Sequence, residues 1–139
     1  MERAPDLEQA VRDFYSALGS GNAASAASMV SSSEACLWIG TDPGEWWEGA
    51  DRARTAISTQ VGEMKEAGIS ISGGNPKAWR SGDVGWFVDQ ASFKLPDGNS
   101  VPVRITALCQ KEDGAWKFVQ AHASVGVANE ETVGEELTV

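Results

Sequence analysis

Apolar positions at Leu7, Ala10, Val11, Phe14, Ala17 and Leu18 follow the i, i+3, i+4, i+7 spacing of an amphipathic helix, which predicts a helix over residues 6–18. Asp6 is placed to cap it and Gly19 to end it. Asn22 opens a short Ala/Ser helix reaching about Val30, and residues 35–40 (ACLWIG) read as a buried strand. Residues 41–49 are rich in turn formers and predict a loop. Ala53, Ile57, Val61 and Met64 then recur on one face of a third helix, 50–66, which Gly68 terminates. Beyond it the pattern is that of strands. Turn signals at Ser81-Gly82-Asp83, Pro96-Asp97-Gly98-Asn99 and Glu112-Asp113-Gly114 separate runs at about 69–80, 84–95, 100–111 and 115–126. Helices first and a meander second is an α+β order, because a parallel sheet would need helices between its strands. In the order α-α-β-α-β-β-β-β the helices must cover one face of an antiparallel sheet, and curving that sheet around them leaves a concave side able to enclose a pocket.

Composition narrows this picture. A length of 139 residues with 42% hydrophobic content argues for one domain, 1–129. A frayed acidic tail, 130–139, carries Glu130, Glu131, Glu135 and Glu136. Cys36 and Cys109 lie in apolar runs without metal-ligand spacing, and there is one histidine, so no metal, disulfide framework or cofactor is expected. Eleven basic against 20 acidic residues give a net charge of -9, the wrong sign for gripping phosphate backbones. Residues 1–9 carry acids where a signal peptide is basic and then apolar, and no run approaches the ~20 apolar residues of a membrane span. The expectation is a cytoplasmic protein with no nucleic-acid or membrane partner. Six Trp against four Phe and one Tyr put large rigid rings in a small chain, either to line a cavity or interface or to fill a core.

Three stretches carry a resemblance: Phe14-Tyr15-Ser16-Ala17-Leu18 before Gly21-Asn22, the run from Ile39 to Gly49 (IGTDPGEWWEG), and the run from Gly114 to Ser124 (GAWKFVQAHAS). Together they resemble the SnoaL-like branch of the nuclear transport factor 2-like superfamily. That resemblance implies a cone-shaped α+β fold, usually dimeric, found in ketosteroid isomerases, polyketide cyclases, dehydratases, epoxide hydrolases and non-catalytic association domains. Fold alone does not choose among these. Carried over one position at a time, the isomerase tyrosine falls on Phe14 and the general-base aspartate on Trp38. The protonated carboxyl of the oxyanion hole falls near Thr106 or Ala107. None of these side chains can do the work required, although an insertion of four residues would bring Asp42-Pro43 onto the family's Asp-Pro pair.

Side chains alternate across strands, so register decides which of them meet. A two-residue loop at Asp97-Gly98 pairs Asp89 with Thr106 and Ala91 with Arg104. At Glu112-Asp113-Gly114, a two-residue turn pairs Ile105 with His122 and a three-residue turn pairs Arg104 with His122. The second option, favoured by the family's placement of Ala123 toward the cavity, sends Trp86, Gln90, Ile105 and Ala123 inward with Val88, Ser92, Val103, Ala107, Cys109, Val119, Ala121 and Val125. It sends Phe87, Asp89, Arg104, Trp116, Phe118 and His122 outward, with Thr106, Leu108, Gln120 and Ser124, to a dimer interface in which Asp89 and Arg104 form an ion pair. In the other register His122 enters the cavity, where its near-neutral pKa would suit a base.

Residues 42–48 hold three acids and two Trp in a loop placed across the cone mouth. A Glu against indole rings would be desolvated and useful as an acid or base; alternatively, Glu48 and Asp51 serve the positive end of the third helix while the rings plug the cone. The expected function is therefore binding of a small apolar or aromatic molecule by Phe14, Trp38, Trp46, Trp86, Gln90, Ile105 and Ala123 in a homodimer. Two alternatives stand beside it. One is cofactor-independent proton transfer next to a carbonyl with Asp42 or Glu45 as base; the other is an association module with a filled cone.

Overall fold

Pro5 fixes the first turn of a helix and gives up only an N–H that would have no partner there, while Asp6 and Glu8 sit at its positive end. The computed structural model describes residues 1–137; Thr138 and Val139 of the expected tail lie outside the described residues. Strand β1 (Glu2–Arg3) precedes helix α1 (Pro5–Ser20), which buries Leu7, Val11, Phe14, Tyr15, Ala17 and Leu18. Asp6 is not its cap: Ala4 holds that position, and the Asp6 carboxylate accepts from the Leu7 amide. Gly19 lies within the helix, and Gly21, at φ 72°, closes it in the left-handed region. Asn22 caps α2 (Ala23–Ser28), accepting from Ser25 N at 3.0 Å.

Strand β2 (Leu37–Ile39) turns back through Asp42, whose Oδ1 accepts from Gly44 N at 2.9 Å, into β3 (Trp46–Glu48). The segment expected to be a loop is thus a hairpin pairing Leu37 with Glu48, Trp38 with Trp47 and Ile39 with Trp46. Helix α3 (Ala50–Ala67) buries Ala53, Ile57 and Val61, and ends at Gly68 as expected. The predicted run 69–80 splits into β4 (Ser70–Ser72) and β5 (Lys77–Ser81). Asp89, 3% exposed, causes the break by accepting Gly74 N at 3.2 Å, Asn75 N at 2.9 Å and the Tyr15 hydroxyl at 3.0 Å. The chain passes so close that a Cβ on Gly73 would meet the Tyr15 ring at 2.9 Å. Strands β6 (Val84–Lys94), β7 (Ser100–Glu112) and β8 (Ala115–Ser124) form the meander, followed by the short helix α4 (Asn129–Thr132). The curved, unclosed sheet of eight strands runs β1-β5-β6-β7-β8-β2-β3 with β4 beside β6. One pair departs from the antiparallel expectation: β2 lies parallel to β8, Trp38 opposite Ala121.

Two registers differ from expectation. Leu95 N donates to Asn99 O and Gly98, at φ 88°, takes the left-handed position of a three-residue loop, so Gln90, not Ala91, faces Arg104. That one-residue slip reverses β6: Phe87 (2% exposed) and Asp89 point inward, while Trp86, Val88 and Gln90 point outward. At the next hairpin Asp113 (φ 53°) and Gly114 (φ 80°) make the two-residue turn, pairing Glu112 with Ala115. A bulge at Val119 then shifts the pairing, so that Cys109 faces Phe118 but Leu108 faces Gln120. Trp116 and Phe118 before the bulge, and Ala121 and Ala123 after it, therefore all turn toward the helices. His122 pairs with Thr106 on the exposed outer face beside Arg104. Of the expected interface, Phe87, Asp89, Trp116 and Phe118 are core residues, and Asp89 lies on the opposite face from Arg104, which forecloses their ion pair.

Asp6 joins α1 to the sheet, accepting the Trp116 indole at 2.9 Å, with Lys111 at 3.4 Å and Arg80 at 3.5 Å. Burial pushes its pKa up, but hydrogen bonds from Trp116 and Lys111 outweigh this and hold it below the usual carboxylate range. Glu112 behaves alike: burial opposes ionisation, while the Ser31 hydroxyl, Gln110 amide and Ser32 N–H favour it more.

Two stability predictions follow from these contacts. Asp89→Ala removes the acceptor of the buried Tyr15 hydroxyl and of two part-buried amides and is expected to cost about 2–4 kcal/mol in urea unfolding, with Tyr15→Phe costing about 1 kcal/mol. Asp6 and Glu112 bind protons more weakly folded than unfolded. Their stabilisation is full above the unfolded carboxylate range, near pH 4, and is lost as pH falls through the lower folded values. Urea midpoints should fall between about pH 5 and pH 3, and fall less in an Asp6→Asn/Glu112→Gln variant.

Candidate functional site

Small side chains on the inner face of β8 leave space that the helices do not fill. Ala121 and Ala123 face α3, whose Ile57, Gln60 and Met64 reach the same volume, and α1 adds Phe14, Tyr15 and Leu18. Trp38 on β2, Trp47 on β3, Ile71 on β4, Phe87 and Phe93 on β6, Ile105 on β7 and Phe118 on β8 complete the walls of a chamber of about 120 Å³. Its floor is an aromatic cluster. Phe14 meets Trp38 at 5.9 Å and Phe118 at 5.4 Å, both edge to face, and Phe87 lies 5.2 Å from Phe118. The Trp38 indole N–H donates to the Phe118 carbonyl at 3.3 Å, so the ring is held against the floor with its polar atom satisfied.

The chamber adjoins a wider vestibule of about 430 Å³, and Gly40, Gln60, Met64, Phe93 and Ala123 belong to both. Thr41, Glu45 and Glu63 supply the remaining polar wall of the vestibule. At the neck, a side chain on Gly40 would collide with the Glu45 carboxylate, which places that carboxylate directly against the Gly40 backbone.

Of the residues expected to bind ligand, Phe14, Trp38, Ile105 and Ala123 line the chamber. Trp86 and Gln90 do not, because the β6 slip turns them outward, and Trp86 is 37% exposed. Trp46 is also outside, 53% exposed, its indole donating to Glu48 at 3.0 Å. Its neighbour Trp47 takes the inward place opposite Trp38. Asp42 is exposed and occupied in its turn, whereas Glu45 faces the vestibule. His122 borders the chamber from an exposed position on the outer row. Sequence reasoning missed Trp47, Gln60, Phe93 and the chamber-facing side of Tyr15. Gln60 carried a usable signal: it lies three residues after Ile57 and four before Met64 on the same helix face.

The chamber walls are poor in acid–base groups. The Tyr15 hydroxyl is committed to Asp89, and burial first, then the Asp89 charge and hydrogen bond, pushes its pKa far up. Cys109 is buried in the core, its thiol pushed up to about 12 by desolvation. Among the described residues no group of three or more His, Cys, Asp or Glu is placed to hold a metal ion. No helix among the described residues is long and apolar enough to cross a membrane.

Residues 7–128 match the SnoaL-like domain. The chain belongs to the SnoaL-like domain family. No curated protein matches it. Solved structures share the fold at low identity. An NTF2-like protein of unknown function from Pseudomonas putida KT2440 superposes with a TM-score of 0.76 at 12% identity, over 97% of this chain and 96% of that one. A proposed dehydratase of the NTF2-like family from Streptomyces avermitilis gives 0.74 at 16%, over 89% and 96%. A proposed calcium/calmodulin-dependent protein kinase II association domain from Xanthomonas campestris gives 0.71 at 15%, over 91% and 95%. An enzyme-like and an assembly-like relative thus share one SnoaL-like scaffold, and the site must decide the reading.

The isomerase positions of this SnoaL-like chain are structural: Phe14 and Trp38 form the aromatic floor, Ala107 is core, and Thr106 faces outward with its hydroxyl on the Phe87 carbonyl. A 5-ene-3-ketosteroid incubated with the protein is expected to remain unisomerised, with no growth of the ultraviolet absorbance of the conjugated 4-en-3-one. Turnover that disappears in Glu45→Gln would contradict this.

Proposed function

We propose that the protein binds a small apolar or aromatic molecule, with one ring in the chamber and any polar extension in the vestibule. The observation that carries the reading is the chamber's size and lining. An apolar protein cavity of about 150 Å³ stays dry and takes up benzene, so a chamber of about 120 Å³ suits a single ring and is too small for a fused polycycle. Convergent aromatic walls with few polar groups are the usual lining of such sites.

Toluene titrated against the intrinsic Trp fluorescence is expected to bind with a dissociation constant of about 0.1–1 mM, reasonable for seven heavy atoms. Ala121→Leu places its side chain in the chamber and is expected to abolish that response while the fold persists. Equal binding by wild type and variant would refute the assignment of the chamber. A second reading, proton transfer on a one-ring carbonyl compound with Glu45 as base, draws on the vestibule position of that carboxylate, which Asp42 lacks.

A companion proposal concerns assembly. Val84, Trp86, Val88 and Leu108 are 37–48% exposed on the outer face, and Trp86 is directly opposite Leu108, so the apolar side chains adjoin. We propose that a second copy of the chain covers this face in a two-fold dimer, with Arg104 and His122 on the same face. Sedimentation at tens of micromolar should show a dimer that Leu108→Glu converts to monomer. A monomeric wild type at that concentration would overturn it.

A further inference from the structure

We infer that the cavity's ligand is a cation: a single-ring aryl-alkyl ammonium ion, its ring in the chamber and its ammonium group in the vestibule. This rests on the binding reading above and names its ligand class. Two independent features carry it.

The first is the division of the space. The inner part is apolar and of single-ring size, and it meets the vestibule at Gly40, Gln60 and Met64. A ligand that fills it with a ring must place its remaining atoms at that neck.

The second is the charge met there. Among the described residues, Glu45 and Glu63 are the only ionisable side chains lining the vestibule, and both are acidic. Among the described residues neither carboxylate accepts a side-chain hydrogen bond or joins an ion pair, although Asp6, Glu8, Asp51 and Asp83 all have basic partners. The nearest lysine in sequence on the β6 wall, Lys94, alternates away from Phe93 and donates to Ser100 Oγ at 2.8 Å. Lys65 of α3 lies against Gly21. Glu45 is half-buried and lodged against Gly40, so one negative charge stands at the neck itself, flanked by Met64, Phe93 and Ala123, with less water to screen it than at an open surface. An ammonium ion in the vestibule faces the half-buried Glu45 carboxylate at the neck and the exposed Glu63 carboxylate on the outer wall, and displaces no resident cation among the described residues. A carboxylate ligand meets like charge in the same place, and the chain's net charge of -9 opposes its approach.

The test compares near-isosteric one-ring probes by calorimetry: 2-phenylethylammonium, ethylbenzene and phenylacetate, at roughly 20 mM and 500 mM salt. At low salt the cation is expected to bind about tenfold more tightly than ethylbenzene, and the anion about tenfold more weakly. In a Glu45→Gln/Glu63→Gln variant, and at high salt, the cation's advantage should shrink to about two- to threefold, while ethylbenzene binding is unchanged and so reports an intact chamber. Ethylbenzene binding without preference for the cation overturns this inference and leaves the cavity reading standing. Preference for the anion overturns it too. Absence of binding by all three probes overturns both.

Discussion

Val119 gives β8 one residue more than β7 offers opposite it, between Leu108 and Cys109, and that insertion decides which side chains meet the helices. Without it, strict alternation would send Ala121 and Ala123 outward if Trp116 and Phe118 faced in. With it, both sets face in. The large rings close one end of the space beneath the sheet, and the two alanines leave the other end open. A cavity in a well-packed domain needs such a cause, because interiors otherwise close to crystal-like density.

The buried Asp89 carboxylate supports that arrangement from β6, on the same inner face of the sheet. By drawing Gly74 N, Asn75 N and the Tyr15 hydroxyl together it ends β4, starts the approach to β5 and fixes α1 against both. Every donor in the cluster is neutral, so the carboxylate is solvated by protein dipoles and not by an opposite charge. Such a group is tolerated in the interior only while all its hydrogen bonds are made. Tyr15 therefore spends its hydroxyl on architecture, which is one reason the chamber beside it is poor in free acid–base groups.

Charge in this molecule separates by place. Basic side chains gather where they are used structurally, as with Lys111 and Arg80 around Asp6 and over the Trp116 ring at 5.4 and 5.1 Å. The vestibule keeps acids alone. On the binding reading proposed above, a mouth of one sign over an apolar pocket would select by charge as well as by shape, through repulsion of carboxylates as much as attraction of cations.

The three main helices, the meander of β6, β7 and β8 and the family were legible in the chain itself, because they rest on local causes; the break of the run 69–80 into β4 and β5 was not. A 3.6-residue period buries Leu7, Val11, Phe14, Ile57 and Val61, and Gly68 ends α3 as expected in the left-handed region, whereas α1 runs past the expected Gly19 to Gly21. Phe14 followed from the helix period, Trp38 from the resemblance, and Ile105 and Ala123 from the family's inward placement of Ala123, although the chain reaches that face by a two-residue turn and a bulge and not by the expected three-residue turn. The faces of β6 and part of β8 were not legible. Pro96-Asp97-Gly98 and Asp113-Gly114 each allow loops differing by one residue, and strand alternation turns one residue of error into a complete exchange of sides, as it did for Trp86 and Phe87. The Val119 bulge leaves no local mark, since its benefit is realised only when Phe118 and Ala121 pack together under the helices. Likewise the partners of Asp89 lie 14, 15 and 74 residues away, a juxtaposition that no window of sequence contains and that only the closed tertiary structure brings about.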